Sequence, residues 1–139
     1  MENQILLITS DHLKKLRILA MNSLPNESCA ILLGKKSANK NIVKDIVPLK
    51  NAARSNIEFN IDSDELFFAY DKAKSMKLNV ISIFHSHPSI PFPSETDKIY
   101  MHLNPVIWII YSTINNSVKS FVLDEVNNVK EIKIELIKG

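Results

Sequence analysis

The chain has 139 residues, 45% of them hydrophobic, and a net charge of +2. That length makes a single domain over residues 1–139 with a real core, and the near-balanced charge gives no argument for nucleic acid or an anionic membrane as partner. The lone cysteine, Cys29, excludes an intrachain disulfide and a cysteine-based zinc site, and the only glycines, Gly34 and Gly139, exclude a glycine-rich phosphate loop.

In chain order, Gln4 to Ile8 reads as a short apolar strand, too short for a signal peptide and with no basic segment before it. Thr9 and Ser10 offer an N-cap, and Leu13, Leu16, Ala20 and Leu24 recur at helical spacing until Pro25 stops the helix. Asn26-Glu27 is a turn. Ser28 to Gly34 predicts a buried strand broken at Gly34, and Ser37 to Asn41 a polar hairpin turn. Ile42 to Leu49 and Ile57 to Ile61 predict two more strands. Asp62-Ser63-Asp64-Glu65 opens a second helix with acids where its dipole favours them, and Leu66, Phe67, Tyr70, Ala73 and Met76 predict its apolar face.

Asn79 to Phe84 is apolar and β-branched, a buried strand that runs into His85-Ser86-His87-Pro88. Side chains alternate along a strand, so His85 and His87 share a face, one pleat apart. A proline-rich loop, Pro88 to Pro93, leads to Ser94-Glu95-Thr96-Asp97, which resembles a capping box at a helix start. Asn104-Pro105 ends that short helix. Three strands follow, Val106 to Thr113 with the lone Trp108, Val118 to Leu123, and Val129 to Ile137. No run is long enough to span a bilayer. Two main helices on a mixed or largely antiparallel sheet predict an α/β or α+β sandwich.

Chemistry concentrates in residues 85–97. Two imidazoles and the Asp97 carboxylate form the donor set of a catalytic zinc site, with three protein ligands and a fourth position for water. Taken alone, a His-x-His pair is also an ordinary pair of histidines, and Ser-x-x-Asp an ordinary cap. Such a site needs a carboxylate that is not a ligand to move the proton of the attacking water. Glu27 fits that role if the strand after it neighbours the His-x-His strand. The competing reading is an exposed turn residue. His12 and His102 read as surface histidines. Ser86 faces away from the two histidines and takes no catalytic role, and Cys29 on its apolar strand reads as packing.

Pro25 to Gly34, then His85-Ser86-His87-Pro88, then Pro93 to Asp97, resemble the JAMM (MPN+) zinc metalloprotease signature, and the resemblance covers nearly the whole chain. It implies a cytidine-deaminase-like MPN fold, a mixed β-sheet flanked by two main helices plus a short helix after the His-x-His loop. It implies Zn2+ held by His85, His87 and Asp97, with Glu27 as general acid/base and Ser94 as hydrogen-bond donor to the tetrahedral oxyanion. The implied activity is an isopeptidase or peptidase cleaving after the C-terminal glycine of ubiquitin or ubiquitin-like proteins; a monomer or homodimer is expected, and the lone cysteine favours a reducing compartment, the cytoplasm. Two features depart from the pattern: the loop between His87 and Ser94 is one residue shorter, and Ala30 stands where glycine is usual. The compact length, with Asn51 to Glu58 in place of the shorter substrate-holding insertion, resembles archaeal and bacterial members. The rival expectations are a non-catalytic MPN scaffold or binding module, and a zinc hydrolase acting on a sulfur-carrier protein adduct or a small amide.

Overall fold

A computed structural model of the chain describes residues 3–50 and 62–138. Among these, seven strands and three helices follow in the order β1 (Ile5–Thr9), α1 (Ser10–Ser23), β2 (Cys29–Ser37), β3 (Lys40–Leu49), α2 (Ser63–Ser75), β4 (Asn79–His87), α3 (Glu95–Leu103), β5 (Ile107–Ser112), β6 (Val118–Leu123) and β7 (Val129–Ile137). The expected strand at Ile57 to Ile61 lies outside the described residues.

The sheet is mixed. Its strands run β1-β3-β2-β4-β5-β6-β7, and β1 pairs with β3 on one side and β7 on the other, which closes the order. β4 sits between antiparallel β2 and parallel β5. A parallel pair needs a crossover, and α3 supplies it between β4 and β5.

Strand alternation divides the apolar residues into two cores. On one face Cys29, Ile31 and Leu33 of β2 join Ile83, Trp108, Ile110 and Phe121, covered by Ala69 and Ala73 of α2 and Met101 of α3. On the other, Ala30 and Leu32 join Phe84, Ile109 and Tyr111 beneath Leu16 and Ala20 of α1. Each large side chain so buried contributes about 1.5–3 kcal/mol. With sequence-distant strands brought together on both faces, the centre of the sheet is a rigid platform for the end of β4.

Three expectations are corrected. β2 does not break at Gly34 but runs on to Ser37 with a register shift between Leu33 and Gly34. Glycine is required there because a Cβ would lie 1.9 Å from the Ile42 carbonyl oxygen. The apolar face of α2 is narrower than expected: Leu66, Ala69 and Ala73 meet the sheet, while Phe67, Tyr70 and Met76 are exposed. Small residues at i and i+4 let the helix lie close to the strands, Phe67 and Tyr70, one residue off that stripe, turn about 100° away, and Met76 is the C-cap beyond the helix. His12 is half-buried rather than on the surface.

Candidate metal centre

The last four residues of β4, Phe84 to His87, are all buried. His85 and His87 project from the same face as Ile83, with ring centroids 4.6 Å apart and planes nearly perpendicular. The register that pairs Cys29 with His85 puts Glu27, two residues earlier, on this same face. Glu27 Oε1 lies 3.2 Å from His85 Nε2. The neighbourhood of β2 and β4, on which the reading of Glu27 depended, is therefore present, and Glu27 is 9% exposed, not an open turn residue.

Asp97 reaches the pair from α3. Ser94 is the N-cap; its Oγ accepts the Asp97 N–H at 3.1 Å, and Asp97 Oδ2 accepts the Ser94 N–H at 2.9 Å. This reciprocal cap fixes the first turn and aims the carboxylate at both rings, with Oδ2 at 2.8 Å from His87 Nε2 and Oδ1 at 3.4 Å from His85 Nε2. The shorter loop still delivers Asp97 to the histidines. It is braced where Phe92 packs edge-on against Phe121 at 5.3 Å. Ser94 itself is exposed, and the cap uses its oxygen as acceptor, leaving the hydroxyl proton free of that bond.

Each imidazole has Nδ1 beside a backbone carbonyl, His85 at 3.2 Å from the Ser28 oxygen and His87 at 3.4 Å from the Ile90 oxygen. A proton on Nδ1 leaves the Nε2 lone pair for the site. One donor atom from each of Glu27, His85 and His87 lies within 4.8 Å of the others, and Asp97 touches both rings. Two imidazole nitrogens and carboxylate oxygens, walled by strand and helix, fit a divalent ion of the zinc type.

Residues 9–124 match the family model for prokaryotic homologs of the JAB domain. The chain belongs to this family. It is also 33% identical over 129 residues, 92% of its own length and 89% of the relative's, to a desampylase of Pyrococcus furiosus, a JAMM family member. A solution structure of a protein from Desulfitobacterium hafniense superimposes with a TM-score of 0.85 at 27% identity, covering 96% of this chain and 94% of that one. A second, from Salinibacter ruber, does so with a TM-score of 0.70 at 22% identity over 95% and 90% of the two chains, a likeness of fold.

In this JAB domain the charges of the site hold one another. Burial works against ionising both Asp97 and His87. For Asp97 it is outweighed by the hydrogen bond with His87, the charges of His85 and His87 and the Ser94 N–H, so the carboxyl titrates below its usual range. For His87 the Asp97 hydrogen bond and charge, helped by Glu27 and the Ile90 carbonyl, outweigh burial, so the imidazole titrates above its usual 6.5. Burial pushes the Cys29 thiol far up, with Glu65 and Asp97 adding to it against a hydrogen bond at Ala30, so it holds its proton.

Sequence reasoning passed over three residues of the JAB domain that frame the site. Ser28 and Ser86 bond each other across β2 and β4. Thr113 holds the His87 carbonyl with its backbone N–H at 2.9 Å and its hydroxyl at 3.2 Å. The one available signal was a serine, Ser86, in a buried strand on the face that also carries Ser82 and Phe84.

Proposed function

We propose that this JAB domain is a zinc-dependent isopeptidase or peptidase that cleaves after the C-terminal glycine of a ubiquitin-like modifier, with conjugates of such proteins as its substrates. The observation that carries the reading is the convergence of His85, His87 and Asp97, with Glu27 beside them, in a buried site of a chain related to a desampylase. The reading includes the cytidine-deaminase-like MPN fold, a single domain over residues 1–139 and action in the cytoplasm. The single reduced thiol suits that compartment, and among the described residues no helix is long and apolar enough to cross a membrane.

His85, His87 and Asp97 hold the ion in this reading. Two carboxylates compete for the third ligand position. Asp97 is favoured because it touches both rings, is 1% exposed and is locked by the cap, whereas Glu27 touches one ring and is 9% exposed. Zinc bound there supplies a Lewis acid and lowers the pKa of a water molecule to about 7. Glu27 takes the proton from the attacking water and returns it to the departing lysine amine, which cannot leave as an anion. Ser94 donates a hydrogen bond from its hydroxyl to the oxyanion that forms at the scissile carbonyl, a contribution of about 10²-fold or more.

The test offers the purified protein a ubiquitin-like protein joined through its terminal glycine to a lysine side chain, with and without a zinc chelator. The expected result is about one zinc ion per chain, release of the modifier with an intact glycine terminus, and loss of cleavage on chelation. A zinc-bearing protein that cleaves no conjugate in a panel of ubiquitin-like proteins leaves a binding module, and a protein that holds no metal removes the enzyme.

A further inference from the structure

We infer that Ser86 is a positioning residue for the metal centre, acting through a buried hydroxyl clasp with Ser28 on the far face of the sheet. The inference rests on the hydrolytic reading of that centre and concerns what holds its parts in place.

β2 begins at Cys29, so Glu27 and Ser28 lie before its first residue. The register that pairs Cys29 with His85, continued one step, sets Ser28 opposite Ser86. A regular antiparallel ladder exchanges two backbone bonds at such a pair. Here one is present, from Ser86 N–H to the Ser28 carbonyl at 3.1 Å. The return bond from Ser28 N–H goes instead to Ser86 Oγ at 2.8 Å. The hydroxyl thus stands in for the carbonyl, and the two hydroxyls bond each other at 2.9 Å. Both serines are buried, so neither has water as a ready substitute.

The Ser28 peptide carries two parts of the site. Its carbonyl faces His85 Nδ1 at 3.2 Å, which selects the tautomer and the ring orientation. Its residue follows Glu27 directly, so a fixed Ser28 fixes where the Glu27 side chain starts. Losing Ser86 Oγ unpairs the Ser28 N–H and frees the Glu27–Ser28 peptide to turn, while the Ser28 carbonyl keeps its bond from the Ser86 N–H. The Glu27 carboxylate loses its aim, and the Ser28 carbonyl, tied to β4 by the Ser86 N–H alone, supports the His85 ring less firmly. Ser86 itself touches neither substrate nor ion.

The experiment compares Ser86→Ala, Ser86→Thr and Ser28→Ala for zinc affinity, by competition with a chromophoric chelator, and for kcat and KM on a cleaved conjugate. Ser86→Ala is expected to bind zinc more weakly, by up to the roughly 10–100-fold that follows outright loss of an outer partner of a histidine ligand. Its kcat falls while KM holds. Ser86→Thr keeps the oxygen and restores most of both. Ser28→Ala spares the Ser28 N–H bond and has the smaller effect. If Ser86→Ala fails to fold by circular dichroism, Ser86→Cys fills the same space with a weak acceptor and carries the same expectation. Wild-type zinc affinity in the alanine or cysteine variant overturns the inference, as does a threonine variant no better than alanine. A wild-type protein that holds no zinc overturns the reading of the site instead, a result obtained without any variant.

Discussion

Exchanging each carboxylate for its amide separates the ligand from the base. In Asp97→Asn the side chain keeps an acceptor for the Ser94 N–H but loses the charge that meets His87 at 2.8 Å and His85 at 3.4 Å. Hydrogen bonds to charged groups are worth about 1.5–3 kcal/mol and neutral ones about 0.5–1.5, so the metal-free variant loses about 1–2 kcal/mol. Unfolding entropy of about 2.1 cal/mol/K per residue converts that loss, for this chain length, into a fall in Tm of about 3–7 °C. Zinc affinity should fall by more than the roughly 10–100-fold that follows loss of an outer partner. Glu27→Gln should hold zinc at the wild-type level and fold as well, while turnover falls by about 10²–10⁴, the worth of a placed acid/base. Zinc content, Tm and conjugate cleavage are read on the same preparations. Normal zinc in Asp97→Asn together with lost zinc in Glu27→Gln refutes the assignment and exchanges the two roles. Normal cleavage in Glu27→Gln removes that residue from the chemistry.

In metal-free protein, proton NMR should place the His87 midpoint above 6.5, because Asp97 stabilises the imidazolium against burial. A raised histidine contributes stability that is full below the unfolded value and is lost as pH rises through the folded one. The lowered Asp97 contributes above the unfolded carboxylate value and is lost as pH falls through its own, so thermal melts of the metal-free protein should show the pair helping most in mildly acidic solution. Cys29→Ala should leave turnover nearly intact, and iodoacetamide should not label the wild-type thiol until the protein is denatured; rapid labelling of native protein refutes its protonated, enclosed state. Gly34→Ala should cost at least the roughly 1–3 kcal/mol of ordinary overpacking, since the nearest atom its Cβ meets is the backbone carbonyl oxygen of Ile42. A melt unchanged from wild type disproves that contact.

What the sequence showed of the site followed the range of the interactions. His85 and His87 share a face because two strand residues one apart must, and Ser94 and Asp97 meet because a helix start brings positions three apart together. Both are local geometry. Glu27 stands 58 residues before His85 in the chain, and its place depends on the pairing of Cys29 with His85, which nothing near Glu27 encodes. The same limit applies to the sheet. Strand positions were legible from apolar runs, but that β4 pairs antiparallel with one neighbour and parallel with the other was not. On α2 the aromatics were taken for the core because size usually decides burial, whereas the close approach of helix to sheet selects Ala69 and Ala73. Ser86 was correctly placed on the opposite face, yet its partner Ser28 lies on another strand, so its part in the ladder was invisible in one dimension.

The reciprocal cap between Ser94 and Asp97 bears on how the protein lives without its ion. One carboxylate closes the first turn of α3 and faces both imidazoles, so helix start and donor set share a side chain. Many small zinc domains are unfolded until loaded, because their ligands have no other reason to meet. Here the proposed ligands already have partners. If the site takes zinc as proposed, the metal-free chain is therefore expected to be folded already and to become active on loading. In the laboratory the same property would let cobalt be loaded in place of the proposed zinc, giving a coloured reporter of ligand geometry without a refolding step.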